Sequence, residues 1–367
     1  MKKKWIWIVS VVVALVILLV VTQIEKDQGE TKIGAILPLT GDFGIAGNET
    51  KDGIELAIEQ INNAGGINGN KVSVIYEDSR GLPAEGVSAI KKVIFTDSIS
   101  YVIDDSISSV TLAMAPVAEE NKVLLLSTGS TAPNISQAGQ FIFRIWNSDA
   151  IEGQNVADYA VDSIGVRNAS ILYINNDYGI GLKDIYTNEF RKKGGEIQLV
   201  LSFNSGDTDF RTLLTKILKE KSQAIYLIAY PSDAKIIVQQ AKELGYKNIW
   251  LGSVTMLDPT VIQTISDAGY RAYLPVPVFP DAKQDRTVEK FQEAFKNKFN
   301  KEPSILARVG YDAAMLFREA AVLGKGTSSE NLVEGLNKII NFPGTSGKIE
   351  FDENGDVHKP MKIEFYH

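Results

Sequence analysis

The segment KIGAILPL at residues 32–39, followed by IELAIEQINNAGG at residues 54–66, decides the fold class. The first run is short and apolar, which is typical of a strand buried on both faces of a sheet. The second run has helical spacing, and the glycine pair at 65–66 predicts its end. Its apolar residues fall on one helix face: Ile54, Ala57, Ile58 and Ile61. A strand followed by an amphipathic helix is the building unit of α/β folds.

The same alternation continues through the rest of the chain. Strand-like runs are predicted at 72–76, 123–126, 170–174, 197–201, 224–228 and 249–251. Each of these runs adjoins a longer stretch with helical periodicity. We therefore expect parallel sheets covered by helices on both faces.

The two halves of the chain share a layout. DFGI at residues 42–45 follows the first strand, and DYGI at residues 177–180 follows the strand that begins near residue 170. Two lobes of the same construction would place Phe43 and Tyr178 just beyond the carboxyl end of each first strand. Open α/β sheets bind ligands at that point. Coincidence is the alternative explanation, because glycine is common in such loops.

Composition excludes several classes of protein. A chain of 367 residues exceeds one ordinary domain, so two lobes are expected. With 38 Lys+Arg against 45 Asp+Glu, the acidic balance argues against a nucleic acid partner. The chain has no cysteine, and its two histidines, His358 and His367, lie in the last ten residues. We therefore expect no catalytic residues, no metal and no cofactor.

The amino terminus predicts export. Three lysines precede an apolar run at residues 5–24, which is long enough to cross a bilayer as a helix. A retained transmembrane anchor is the favoured interpretation, and a cleaved signal peptide is the alternative, although residues 20–23 supply no small-residue cleavage site. Either one places the rest of the chain outside the cytoplasm, at the cell surface or in the periplasm. Residues 25–30 are polar and predict a linker.

Longer motifs carry a family resemblance. They are IGAILPLTG at 33–41, INNAGGING at 61–69, DYG at 177–179, GDTDF at 206–210 and GYDA at 310–313. In this order and spacing, the chain resembles the branched-chain amino-acid substrate-binding proteins of ABC importers, which are type I periplasmic binding proteins. The resemblance covers about residues 31–366.

The resemblance implies a fold and a function. The fold would consist of two doubly wound parallel-sheet α/β lobes joined by a three-strand hinge, preceded by the N-terminal transmembrane helix. Lobe 1 would comprise 31–146 and 277–345, and lobe 2 would comprise 147–276 and 346–367. The protein would clamp a small amino acid or related carboxylate between the lobes by hinge closure and then dock on ABC permease subunits.

The resemblance also implies ligand contacts on the first lobe. Ser108 and Thr131 match a serine and a threonine that bind the ligand carboxylate, and Ser130 lies in the same motif. Gly129 occupies the position whose carbonyl accepts the ligand ammonium group. Hydroxyls beside a helix predicted to start near Thr111 suit an anion. Capping or turn formation is the alternative role for these hydroxyls.

On the second lobe, the resemblance implies that tyrosines cover the ligand. Tyr178 and Tyr230 match such positions, and a tyrosine offers an apolar face with one hydroxyl. Packing alone is the alternative role for both side chains. Asp149 follows the first crossover between lobes, where it either contacts the ligand or fixes the hinge.

Two departures from the family pattern leave the ligand open. Val254 stands where amino-acid binders commonly have an acidic residue, and Ala46 stands where they have a tyrosine, a space that Phe43 could fill. An ammonium group buried without a carboxylate partner is costly. Either Asp149 supplies that partner, or the ligand is a non-amino acid such as an aromatic or keto acid.

Two further functions are considered as alternatives to a solute receptor. A ligand-sensing receptor for a membrane signalling partner would need the same fold, whereas an enzyme would need a catalytic constellation that the sequence does not offer.

The acidic segment 352–356 departs from a calcium loop and predicts a hairpin turn between strands at 348–351 and 361–365.

Overall fold

Two separate β-sheets organise the chain in a computed structural model that describes residues 29–104 and 106–367. The first lobe begins with β1 (Glu30–Leu37), β2 (Lys71–Asp78), β3 (Tyr101–Asp104), β4 (Leu124–Ser127) and β5 (Ile142–Arg144). These strands form one parallel sheet in the order β2-β1-β3-β4-β5. The helices between them are α1 (Gly44–Asn63), α2 (Pro83–Phe95) and α3 (Ser108–Glu120).

The second lobe repeats this construction. Its strands are β6 (Asn168–Ile174), β7 (Glu196–Phe203), β8 (Ala224–Ile228), β9 (Ile249–Gly252) and β10 (Ala272–Pro277). Its helices are α4 (Asp149–Asp158), α5 (Asp177–Lys192), α6 (Arg211–Glu220), α7 (Pro231–Glu243) and α8 (Pro259–Asp267). The strands are parallel in the order β10-β9-β8-β6-β7, so the predicted parallel α/β architecture is confirmed.

The chain then returns to the first lobe before it ends in the second. The returning elements are α9 (Arg286–Phe299), α10 (Ile305–Leu323), α11 (Ser329–Asn337), β11 (Phe342–Gly344) and β12 (Gly347–Ile349). The last strand, β13 (Met361–Tyr366), pairs antiparallel with the edge of the second sheet at β10.

Alternating burial explains how the first sheet is covered on both faces. Ile33, Ala35 and Leu37 of β1 pack in one core with α1 and α10, whereas Ile36 packs in another core with α2 and α3. The close contact of α1 with α10 requires a glycine at position 53. A Cβ on Gly53 would lie 1.9 Å from the carbonyl oxygen of Ala307.

The hairpin predicted between 348–351 and 361–365 is wrong. β12 pairs with β11 instead, because the turn at Thr345 and Ser346 is held by the buried carboxylate of Asp312, which accepts hydrogen bonds from both residues. Residues from 346 onward were also expected to belong to the second lobe. In the structure, Ile349 and Val357 pack in the core of the first lobe, and β13 alone joins the second sheet.

Three crossover segments lie side by side between the lobes. The side-chain amide of Asn147 in the first donates to the carbonyl of Lys359 in the third at 2.8 Å, and the Lys359 amide donates back at 2.7 Å. The Val278 amide of the second donates to the carbonyl of Pro360 at 2.9 Å. The predicted three-strand connection is therefore a hydrogen-bonded unit.

The predicted membrane segment lies outside the described residues, as does the linker up to residue 28; β1 begins at Glu30, inside the predicted linker. Within 29–104 and 106–367, the structure contains no helix with the length and hydropathy needed to cross a membrane.

Candidate functional site

A cavity of about 500 Å³ lies between the two lobes, at the carboxyl ends of their strands. Its first-lobe wall includes the loops after β3 and β4 and the start of α10: Glu49, Ser106, Ser108, Gly129, Thr131, Trp146, Ser304, Ile305 and Leu306. Its second-lobe wall includes the loops after β6, β8 and β9: Tyr178, Tyr230, Val254, Thr255, Leu257, Asp258 and Pro259. This is where parallel α/β sheets place their ligands.

Ser108 joins the two loops of the first-lobe wall. Helix α3 begins at Ser108 itself, three residues earlier than predicted, so the side chain lies in the first turn. Its hydroxyl oxygen accepts hydrogen bonds from the amides of Thr131 and Ala132, each at 3.1 Å. Because a hydroxyl also carries one donor, Ser108 can donate that hydrogen to an anion in the cavity.

The loop that carries Thr131 is fixed from behind by a buried arginine. Arg144 donates to the carbonyls of Thr131 and Ala132 at 3.1 and 2.9 Å, and to both carboxylate oxygens of Asp356 at 2.7 and 2.8 Å. The amide of Asp149 donates to the same Thr131 carbonyl at 2.8 Å. The ligand-facing loop is thus organised by side chains from two crossovers.

The neighbours of Thr131 differ in their exposure to the cavity. Gly129 lines it, as the sequence analysis predicts. Ser130 is fully buried and lies outside the cavity lining, with its hydroxyl 2.7 Å from the Thr111 hydroxyl on α3. Its position suits support of the loop better than contact with a ligand.

Aromatic side chains from both lobes meet at the edge of the cavity. The rings of Tyr178 and Tyr230 stack with centroids 5.6 Å apart, and the Tyr178 hydroxyl lies 3.2 Å from the hydroxyl of Thr255. Phe43, from the first lobe, packs edge-on against Tyr230 at 5.0 Å. The two residues that the internal repeat singled out, Phe43 and Tyr178, therefore both contact Tyr230.

A smaller cavity of about 260 Å³ adjoins the first. Phe43, Ala46 and Pro231 line it, and it shares Ser106, Tyr230, Thr255 and Leu306 with the larger cavity. The walls are mainly apolar. The space next to Ala46 is therefore open, and Phe43 lies at its border without filling it.

Asp149 lies behind the Thr131 loop and does not line the cavity. Its carboxylate is fully buried, and among the described residues the Thr131 hydroxyl and the Arg144 guanidinium are the groups that favour its charged form. Burial raises its pKa to about 7, against the opposing effects of the Thr131 hydroxyl and the Arg144 guanidinium. Asp149 therefore does not line the cavity, and its amide holds the Thr131 loop at the crossover between the lobes.

Glu152 is a buried carboxyl that the sequence analysis missed. It lies one helical turn after Asp149 on α4, and its Oε1 accepts a hydrogen bond from the amide of Val254 at 3.0 Å. Burial, reinforced by the charge of Asp149, raises its pKa well above the usual range. The available signal was the three-residue spacing from Asp149, which places both side chains on one helix face.

Val254 lines the cavity, as the sequence analysis predicts, and its amide is bonded to this carboxyl. An acidic group therefore does reach the loop after β9, but from α4 behind it. Among residues 29–104 and 106–367, no group of three or more His, Asp or Glu side chains is placed to hold a metal ion.

Comparison with known proteins agrees with this geometry. Residues 30–363 match the periplasmic binding protein family, whose members bind solutes and are not enzymes. The leucine-, isoleucine-, valine-, threonine- and alanine-binding protein of Pseudomonas aeruginosa is 28% identical over 331 residues, covering 89% of this chain and 87% of the relative.

Two crystal structures are similar over nearly the whole chain. The leucine-binding protein LivK of Thermotoga maritima has a TM-score of 0.83 and 29% identity, with 92% of this chain and 98% of that chain covered. The substrate-binding protein LivJ of Streptococcus pneumoniae, solved with isoleucine, has a TM-score of 0.80 and 25% identity, with 91% and 95% covered. The family match and these likenesses, together with the cavity between two parallel-sheet lobes, show that the chain belongs to the periplasmic binding protein family.

Proposed function

We propose that this protein is the extracytoplasmic receptor of an ABC importer and that it binds a small hydrophobic amino acid between its lobes. The observation that carries the proposal is the interlobe cavity, which has hydroxyl and backbone groups on one wall and tyrosines on the other. Relatives named for binding leucine, isoleucine and valine support the same ligand class. The cavity volume of about 500 Å³ suits a ligand of this size.

In this proposal, Ser108, Gly129 and Thr131 hold the polar head of the ligand on the first lobe. Tyr178 and Tyr230 then cover it when the second lobe closes. Ligand shifts the population toward the closed form only if it binds that form more tightly than the open form. A change in the ratio of closed to open molecules from about 1:99 to about 99:1 requires binding that is ~10⁴-fold tighter. ABC permease subunits would recognise the closed form.

The adjoining cavity favours a ligand with a bulky apolar side chain. A cavity of ~150 Å³ in another protein holds a benzene molecule, so about 260 Å³ beside Ala46 has room for an aromatic ring or a branched chain. Edge-to-face contact with Phe43 and Tyr230 would add to such binding. A phenylalanine-like ligand therefore competes with leucine, and a non-amino aromatic acid is the second candidate.

Thermal shift of the purified protein tests the ligand class. Leucine, isoleucine, valine and phenylalanine would be compared with their deaminated analogues at equal concentrations. A ligand at ~100 times its Kd adds about 2.7 kcal/mol to the free energy of unfolding. Stabilisation by an amino acid, with compaction seen in small-angle X-ray scattering, is the expected result. Stabilisation by the deaminated acids alone would assign a different substrate class, and no stabilisation by any of them would refute the proposal.

We also propose that residues 1–24 anchor the protein in the membrane, which the apolar run at residues 5–24 supports. Membrane fractionation and mass spectrometry of the amino terminus would distinguish an anchored chain from a cleaved one. For the lobes, we propose 30–146 with 278–357, and 147–277 with 361–367, based on the packing of Ile349 and Val357.

A further inference from the structure

Two carboxyls that form no salt bridge within the part of the chain that the structure describes lie directly behind the cavity wall. Asp149 and Glu152 occupy the same face of the first turns of α4, and both are almost completely inaccessible to solvent. Within the described residues, neither oxygen of Asp149 has a hydrogen bond of good geometry, although the Thr131 hydroxyl favours its charged form, and Glu152 accepts from the Val254 amide. Two buried negative charges this close together, without a counter-ion, are strongly unfavourable.

The nearest cation, Arg144, offsets the charge of Asp149 only in part. Arg144 is itself buried, and its guanidinium is already paired with both oxygens of Asp356 at 2.7 and 2.8 Å. Its remaining N–H groups donate to the carbonyls of Thr131 and Ala132 and to the Ser136 hydroxyl. All five donors of a guanidinium are thereby used.

Two tyrosine hydroxyls of the second lobe also interact with the pair. Tyr178 on α5 and Tyr226 on β8 both feel the charges of Asp149 and Glu152, which raise the pKa values of the two phenols beyond the effect of burial. The strands β10 and β13 also pack against α4. Their tyrosines have other partners, since Tyr273 packs on Tyr159 and Tyr366 donates to Glu364.

Only one layer of residues separates the pair from the cavity. Thr131 is bonded through its carbonyl to the Asp149 amide, and Val254 is bonded through its amide to Glu152. Tyr178, whose phenol feels both charges, completes this part of the wall. All three of these residues line the cavity, so the negative potential of the Asp149–Glu152 pair acts on the cavity through them, in addition to that of Glu49 and Asp258, which line it directly.

We propose that the Asp149–Glu152 pair is the counter-charge for the ammonium group of the ligand, and that the pair releases a proton to solvent when this group binds. The inference rests on the proposed function and deepens it, because it assigns an amino-bearing ligand and couples its binding to pH. Although Val254 replaces the acidic residue that amino-acid binders commonly have at this position, the ammonium group still has an acidic partner, because α4 supplies it.

The release follows from charge balance. Without ligand, the pair retains a proton near neutral pH, in keeping with the raised pKa values of both carboxyls. A cation in the cavity favours the fully ionised pair and expels that proton. Affinity for an amino acid should therefore rise with pH, by at most about tenfold per pH unit, and level off above the pKa of the free pair.

Isothermal titration calorimetry tests the inference on the purified protein. Leucine and phenylalanine would be titrated near the Asp149 pKa of about 7 in two buffers of different ionisation enthalpy. We expect release of up to about one proton per amino acid bound, and none for the deaminated acids. Amino-acid binding without proton release would overturn the inference while leaving the proposed function intact. Absence of binding by every probe would remove both.

Two near-isosteric variants separate a charge effect from a structural one. Asp149→Asn and Glu152→Gln should each change the number of protons released and the midpoint of the pH profile, and the double variant should abolish proton release and flatten the profile. Each should weaken amino-acid binding by about 10- to 100-fold, as expected for loss of a charge ~6 Å away at an effective dielectric constant near ~20. Binding of the deaminated acids should be unchanged or stronger, and an equal loss for both ligand types would overturn the inference.

Discussion

Substituting Gly181 with alanine should weaken ligand binding without weakening the fold. Gly181 lies in α5 of the second lobe, and a Cβ there would stand 2.6 Å from Cδ of Pro133 in the first lobe. Ordinary contact of such atoms begins at 3.4 Å, so the overlap is about 0.8 Å. The proline ring is rigid, and the clash can be relieved only by moving the lobes apart.

The overlap can be converted into an expected loss of affinity. Overpacking of this kind costs ~1–3 kcal/mol, and every ~1.4 kcal/mol is a factor of ten in an equilibrium constant. Because the contact exists only when the lobes are together, affinity should fall by about 5- to 100-fold. An alanine inside a helix is also more favourable than a glycine by ~0.5–1 kcal/mol. The unliganded Gly181→Ala protein should therefore be as stable as the wild type or slightly more so.

Calorimetry and thermal melting measure these two effects separately. Asn188→Ala is the matched control, because Asn188 is an exposed residue of the same helix. The double variant Gly181→Ala with Pro133→Ala removes Cδ of the proline and should recover most of the lost affinity. Wild-type affinity in the single variant, or a loss that the second substitution does not restore, would refute the reasoning.

Four further substitutions have distinct expected outcomes. Arg144→Leu leaves the buried Asp356 carboxylate without its cation, although the Ser136 hydroxyl still donates to it, and should lower the free energy of unfolding by ~3–5 kcal/mol in denaturant titration; a change below ~1 kcal/mol would contradict this. Ser108→Ala removes the acceptor of two buried amides, at a cost of ~1–3 kcal/mol, and should also lower affinity for carboxylate ligands. Ala46→Tyr fills the smaller cavity. Calorimetry should then show that phenylalanine binding is weakened about 10- to 100-fold and that leucine binding is weakened less. Equal losses for the two ligands would count against the proposal that the smaller cavity holds the side chain of the ligand. For the unliganded wild type, stability should fall as pH rises from 3.8 towards about 7, since the unfolded Asp149 carboxyl has lost its proton and the folded one retains it. In melts at several pH values, Asp149→Asn should reduce this slope and leave the part that is due to the raised pKa of Glu152.

Local pattern predicted much of the architecture. The strand predicted at 32–39 corresponds to β1. The apolar helix face predicted from Ile54 and Ile61 is the buried face of α1. Periodicity is a local property, so one segment is enough to detect it. Three motif residues line the same cavity: Ser108, Thr131 and Tyr178. They follow the carboxyl ends of parallel strands, which lie at one edge of each sheet.

Features set by distant partners could not be predicted in this way. Glu152 occurs in a polar stretch that resembles an exposed helix, and its burial depends on the packing of α4 against α5 and on the loop of Val254. The segment 348–351 offered no sign that β12 pairs with β11 rather than with β13. Strand pairing is decided by the whole sheet, and for this reason the predicted hairpin was wrong.

The ion pair between Arg144 and Asp356 has a consequence for biosynthesis. Its partners are 212 residues apart, and Asp356 lies close to the end of the chain. An emerging polypeptide therefore cannot complete the loop of Thr131 until its last residues are available, since contacts of this sequence separation form late in folding. A nascent chain that has not yet been synthesised as far as Asp356 therefore lacks a finished binding site. Until then, ligand cannot stabilise the folded form.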